Sequence, residues 1–162
     1  VKAVVGDSPR ILAYDHNWDH PEYALQAMQQ AGPGVFFGTA FHCYAGSMSK
    51  AHSYIQTKQP ENLDIMMSEC TGSFSGSRCD INKGMDGFGW NHEWDMDNLF
   101  LNNVLHGGSA SMKWVMALDE HCGPYLPNMH FHWGRPLVSI PSWASKIGDV
   151  KFNQDFWTVE IG

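Results

Sequence analysis

The sequence is short of charge, and shortest of positive charge. Lys and Arg number 10 in 162 residues against 17 Asp and Glu, for a net charge of -7. A nucleic-acid or anionic-membrane surface needs a basic patch, and this balance argues against both. No run of apolar residues approaches the length of a membrane span. The four cysteines, Cys43, Cys70, Cys79 and Cys122, never fall into C-x-x-C spacing, which argues against a zinc ribbon or a thioredoxin-like site. The Gly/Ser-rich stretch 71–89 lacks the Lys-Ser/Thr of a phosphate loop, so nucleotide binding is not expected. There is no Asn-x-Ser/Thr sequon, no signal-peptide pattern and no initiator Met before Val1-Lys2-Ala3. That start is expected of a processed product or of a piece of something longer.

What is present is apolar and aromatic. A hydrophobic fraction of 43% with 17% charged residues fits one soluble globular domain over residues 1–162. Seven Trp stand among carboxylates, a combination that suits sugar binding, although most Trp residues simply pack. Strands are expected at 10–15, 35–44, 64–70 and 109–119, with a shorter one at 136–140. A helix is expected from Pro21 to the Gly32-Pro33-Gly34 stop, with Tyr23, Ala27 and Ala31 on one face. A second runs over 49–58. A third runs over 90–106, with Trp90, Trp94, Leu101 and Leu105 near 3.6-residue spacing and Gly107-Gly108 as its stop. A last apolar piece covers 152–161. Strand and helix in alternation imply parallel βαβ units.

The organising stretch is Asp64-Ile-Met-Met-Ser-Glu-Cys-Thr-Gly72. Its apolar run reads as a buried strand, and it places the carboxylate of Glu69 at the C-terminal strand end, where parallel α/β sheets put their chemistry. The other strands also end in polar or aromatic residues: Asp15-His16-Asn17-Trp18, His42 with Tyr44, and Trp114 with Asp119. Four such units are half of a (β/α)8 barrel. Taken alone, a strand-end Glu is ordinary, and His42 and Tyr44 read equally as core residues with satisfied polar tips. Trp18, Trp90, Trp114 and Trp133 are candidate sugar platforms, Trp90 and Trp94 being better read as packing. His130 and His132, or His92-Glu93 with Asp95, have no third partner at an established metal spacing, so no metal or other cofactor is expected. Glu93, Asp95 and Asp97 read as a solvated face near a helix N-terminus. A disulfide Cys70–Cys79 would close a short loop after Glu69, and Cys79–Cys122 would link two loops; spacing leaves both open.

Five motifs in order, 11–19 (ILAYDHNWD), 41–46 (FHCYAG), 67–72 (MSECTG), 114–119 (WVMALD) and 152–156 (FNQDF), resemble the C-terminal half of the catalytic barrel of family 30 glycoside hydrolases. That family includes glucosylceramidases and fungal endo-β-1,6-glucanases, and the wording is nearest to the fungal or oomycete secreted branch. The resemblance implies an α/β fold made of strands five to eight of a (β/α)8 TIM barrel, and a retaining β-glycosidase acting outside the cell on β-linked glucan or a glycolipid. It makes Glu69 the nucleophile. It places His42, Tyr44, Asp15, Asn17, Trp18 and Trp114 around the sugar. The family's Trp-Asn on strand eight is Trp114-Val115 here, and its Asn-Glu-Pro acid/base motif is absent from the chain. Asp15 and Asp119 read as structural or rim carboxylates rather than as the missing proton donor. The acid/base is therefore expected from an N-terminal barrel half, or the open core is expected to be completed by a homo-oligomer. A reading of another class is a non-catalytic carbohydrate-binding or cell-wall protein on the same scaffold.

Overall fold

A computed structural model describes residues 4, 6, 8–58, 63–72, 88–126, 128 and 134–161, with the side chain of Phe88 also outside the description. The chain divides into two compact units, Val1–Cys70 with Leu101–Met112, and Thr71–Phe100 with Lys113–Gly162.

The first unit is built on a sheet of strands β1 (Leu12–Asn17), β2 (Gly38–His42), β3 (Asp64–Cys70) and β4 (Ala110–Lys113), in that spatial order. The β1–β2 and β2–β3 pairs are parallel. Each of those pairs is joined by a helix, α1 (Pro21–Ala31) and α2 (Met48–Lys58), the crossover that parallel strands require. Central β2 is buried from Gly38 to Phe41, as expected of a strand covered on both faces. Gly38 is needed there because a Cβ would collide with the carbonyl of Asp64.

Helix α1 starts at Pro21, which has no N–H to lose at that position. It stops where Gly32, at φ 85°, turns its N–H back to the carbonyl of Met28. Its buried face is Ala24, Leu25 and Met28. This corrects the expected Tyr23–Ala27–Ala31 face, since Tyr23 is 61% exposed. Helix α2 buries Met48, Ala51, His52 and Ile55, positions one and two turns apart. His52 donates from Nδ1 to the carbonyl of His106 at 2.5 Å, and burial depresses its pKa, keeping the ring neutral.

The expected helix over 90–106 is found as α3 (Phe88–Asp95), a wider π-helical stretch (Met96–Leu101) and α4 (Asn102–Leu105). Its apolar stripe is not its buried side. Trp90 is 66%, Leu101 49% and Leu105 75% exposed, while Asp95, Leu99 and Asn103 are buried. The two polar members go inside because each meets a partner within its own unit. Asn103 donates to Ala110 O and Ser111 Oγ, and Asp95 accepts from Arg135.

In the second unit, β5 (Ala117–Leu118) pairs parallel with β6 (Val138–Ser139), which pairs antiparallel with β7 (Lys151–Phe152). Helix α5 (Gln154–Ile161) follows and packs on α3. The strand expected over 109–119 is thus two strands in two sheets. The switch falls at Trp114–Met116, where the carbonyls of Val115 and Met116 accept from Leu137 and Val138 N–H instead of continuing β4. Arg135 is 1% exposed. Its guanidinium donates from Nε to Asp155 at 3.0 Å and from the terminal nitrogens to Asn91 at 2.8 Å and Asp95 at 2.5 Å. Lys113 pairs with Asp155 at 2.6 Å. The expectation that Asp95 lies on a solvated face is therefore corrected: it is 0% exposed.

Candidate active site

At the C-terminal end of the first sheet, His42 is in register with Asn17 on one side and Glu69 on the other. Register partners on parallel strands point to the same face, so these three side chains form a row at one level. Glu69 follows Ser68 and precedes Cys70 on β3, and its side chain is 21% exposed. Tyr44, two residues beyond the end of β2, donates from its hydroxyl to Glu69 Oε1 at 3.0 Å. Glu69 and Cys70 are successive on β3, so Cys70 points away from the Glu69 face.

Asp15 enters this row through an irregularity. The β1–β2 register passes from Tyr14 opposite Ala40 to His16 opposite Phe41, skipping Asp15. Tyr14 and Asp15 take φ of 88° and 62°, a left-handed backbone that costs roughly 1–2 kcal/mol per non-glycine residue. Such strain persists where the surroundings over-determine it. Here the surroundings are His42 Nε2, 3.2 Å from Asp15 Oδ1, and Ser68 Oγ, which donates to the same oxygen at 2.7 Å. The Ser68 hydroxyl is the first cause, and His42 and His16 further causes, that hold the Asp15 carboxyl below its ordinary value. An ionised Asp15 only accepts, so it fixes the proton of His42 on Nε2. The other ring nitrogen, Nδ1, then faces Glu69 Oε1 at 3.9 Å, beyond hydrogen-bond reach. The row is two carboxylates separated by one imidazole, with a phenol on the outer one.

Other residues singled out from the sequence make different contacts. Trp18 is 4% exposed and stacks on Phe41 with ring centroids 4.4 Å apart. Phe41 covers one face of its ring, which is packed rather than open as the sugar platform expected of it would be. Asn17 keeps its place beside His42, with Oδ1 buried and without a partner among the described residues. Trp114 belongs to the second unit, where it is 38% exposed, lies beside Gly134 and is joined to Val115 by a cis peptide bond. Asp119 accepts from the N–H groups of His121 and Gly123, both at 2.7 Å, the geometry of a loop staple. Trp133, His130 and His132 lie outside the described residues.

Ser68 and the disulfide were not singled out from the sequence. Cys43 pairs with Cys70, Cα atoms 5.3 Å apart, which corrects the Cys70–Cys79 alternative. The Cys79–Cys122 alternative involves Cys79, which lies outside the described residues. Among the described residues no group of three His, Cys, Asp or Glu side chains is placed to hold a metal ion. A cavity lined by Met28, Pro33, Phe36 and Leu63 opens where β2 and β3 begin. Its lining carries no titratable group.

No protein-family model matches the chain. It is 30% identical over 121 residues to an endo-1,6-beta-D-glucanase of Neurospora crassa, covering 75% of this chain and 22% of that protein. A second such glucanase, of Trichoderma harzianum, is 29% identical over 121 residues, covering 75% and 21%. Among solved structures, an endo-beta1,6-glucanase superposes with a TM-score of 0.71 at 20% identity, covering 98% of this chain and 34% of that one. SrfJ from Salmonella typhimurium superposes with a TM-score of 0.69 at 20% identity, covering 98% and 33%. The mixed α/β fold with its parallel sheet is thus like that of a solved glucanase, and the chain spans about a fifth of the length of the curated relatives it matches.

Proposed function

We propose that this chain is the C-terminal half, strands five to eight, of the (β/α)8 barrel of a secreted family 30 glycoside hydrolase. The proposed reaction is retaining hydrolysis of β-1,6-linked glucan with Glu69 as the nucleophile. The observation that carries this reading is the Tyr44–Glu69 hydrogen bond of 3.0 Å at the C-terminal end of a parallel sheet. A carboxylate that attacks an anomeric carbon has to be ionised and aimed. The phenol on Oε1 orients the group and leaves Oε2 to form the glycosyl ester. The similarity to fungal endo-1,6-beta-glucanases supports the substrate.

Retention needs a second carboxyl group roughly 5–5.5 Å from the first, to protonate the leaving oxygen and then activate water. Asp15 does not suit that role, because Ser68 and His42 hold it ionised. The acid/base is proposed to come from the remaining barrel strands, in an N-terminal half or a second copy of the chain. Strand β1 has β2 on one side only among the described residues, and an open parallel edge is costly to leave bare. His42, Asn17 and Asp15 are proposed to line the sugar site with Tyr44. Extracellular location is supported by the Cys43–Cys70 disulfide, which persists in oxidising compartments.

Reducing-sugar release from β-1,6-glucan by the full-length protein and by Glu69→Gln tests the reading. Turnover that disappears in Glu69→Gln supports it, and equal rates reject it. Glucosylceramide in the same assay tests the glycolipid alternative, and binding of glucan by an intact barrel without hydrolysis would favour the non-catalytic one.

A further inference from the structure

We infer that the Cys43–Cys70 disulfide is a positioning device for the Glu69 site, holding Tyr44 and His42 against the carboxylate from the opposite face of the sheet. The inference rests on the reading of Glu69 as the nucleophile. Cys43 stands between His42 and Tyr44, and Cys70 directly follows Glu69. The bond therefore joins the chain neighbour of the phenol to the chain neighbour of the carboxylate. No covalent link between these two strand ends that spares the site residues themselves is shorter.

The need for such a link is visible in the ladder. Strand β2 ends at His42, so Tyr44 stands beyond the last paired residue. The final backbone bond, from Cys43 N–H to the carbonyl of Glu69, is 3.3 Å long, beyond the usual N–H···O range. Tyr44 is 45% exposed, so packing alone does not locate its hydroxyl. The disulfide secures the segment on one side of Tyr44. On the other side Gly46, at φ 89°, fits so closely on the backbone of Trp18 and Asp19 that a Cβ would collide with it. These two fixed points hold the backbone from which the phenol reaches Glu69 at 3.0 Å.

The face matters as much as the position. Glu69 and Cys70 are successive residues of β3 and point to opposite sides of the sheet, so the bond that Cys43 makes to Cys70 lies on the side away from the Glu69 carboxylate that Tyr44 reaches. Cys70 is 0% exposed. The bond holds the site without contributing a group to it, and removing it leaves every polar atom of the row chemically intact. A disulfide that only stabilises the fold would change melting temperature and nothing else while the protein stays folded.

The test uses the full-length protein with Cys43→Ala and Cys70→Ala together, assayed on β-1,6-glucan below the temperature at which circular dichroism shows unfolding. Cys43→Ala with Cys70→Val, which refills the buried volume, serves if the double alanine protein does not fold. The expected result is kcat lowered about 10- to 100-fold with KM within about twofold, the size of effect that goes with losing a hydrogen bond to a charged group. Tyr44→Phe, damaging in the disulfide-bonded protein, should then add less than about twofold, since its bond is already lost. A folded variant with kcat within about threefold of wild type and the full Tyr44→Phe effect overturns the inference. An inactive wild type rejects the glucanase reading instead. In that case the crystal structure of the variant decides the positioning on its own: Tyr44 Oη more than about 3.5 Å from Glu69 supports it, and a retained bond of 3.0 Å overturns it.

Discussion

Asp15 and Ser68 are the two residues that the strand register passes over, one in β1 and one in β3, and they hydrogen-bond to each other across β2 at 2.7 Å. Each irregularity alone would be a local kink. Together they place a hydroxyl and a carboxylate on the same side of the intervening strand, beside His42. Bulges re-aim side chains next to active sites, and this pair re-aims the group that orients the imidazole facing Glu69.

Ser68→Ala should raise the Asp15 pKa, because the Ser68 hydroxyl is the main group holding it below its ordinary 3.8. The depressed folded-state value means that this carboxylate contributes stability above about pH 3.8 and loses it as pH falls through the folded value. The Asp15 side chain is 67% exposed, so solvent screening keeps the difference at pH 7 below about 1 kcal/mol. Carboxyl carbon shifts followed by NMR read the midpoint directly. A midpoint unchanged by the substitution would contradict the assignment.

Tyr44→Phe should leave the fold intact, since the ring is 45% exposed and only the hydroxyl reaches Glu69. A hydrogen bond to a charged group is worth about 1.5–3 kcal/mol. Under the proposed function, kcat on β-1,6-glucan should fall roughly 10- to 150-fold with melting temperature nearly unchanged. Steady-state kinetics beside a thermal melt separates the two effects.

Trp18→Ala should behave as a core deletion. Stacked on Phe41 and 4% exposed, the ring should cost about 3–5 kcal/mol when removed. Urea unfolding should show the loss. A stable variant with a raised KM for glucan would restore Trp18 to the sugar site.

Arg135→Ala should destabilise the second unit by about 3–5 kcal/mol, because it takes the hydrogen-bonded cation from buried Asp95 and leaves Asp155 with Lys113 alone. Asp95 is pushed up to about 6, chiefly by burial, with Lys113 and Arg135 opposing and Asp155 adding to the rise. A raised carboxyl pKa means the folded protein binds the proton more tightly than the unfolded chain. Its contribution is therefore most favourable below about pH 3.8 and is lost as pH climbs to about 6. Asp95→Asn keeps an oxygen for Arg135 and should flatten the stability profile over that window, as chemical denaturation at several pH values would show.

Much of the first unit is legible in the residues. The run through Ile65 and Met67 to Glu69, the Pro21 start and Gly32 stop of α1, and the helix before β3 all follow from local pattern and appear where that pattern places them. The bulges are not legible, because a skipped residue leaves the alternation of a short strand looking almost regular. Asp95 reads as solvated for a similar reason, and nothing local marks Asn103 as buried. A polar residue on a helix announces burial only through its partner, and Arg135 and Ala110 are invisible to periodicity. The strand over 109–119 reads as one because no Gly or Pro interrupts it, whereas the carbonyls of Val115 and Met116 are taken by the N–H groups of Leu137 and Val138.

By itself the sequence determined which residues lie at strand ends, and so that Glu69, His42, Asn17 and Asp15 belong to one edge of a parallel sheet. Side-chain alternation and turn chemistry are local properties, carried by the order of residues. Only the tertiary structure decided which of those groups touch: Tyr44 on Glu69, Ser68 on Asp15, Cys43 on Cys70, and Trp18 withdrawn onto Phe41. Those contacts join residues on different strands, and they depend on register and on two skipped residues, quantities that exist only once the strands are side by side.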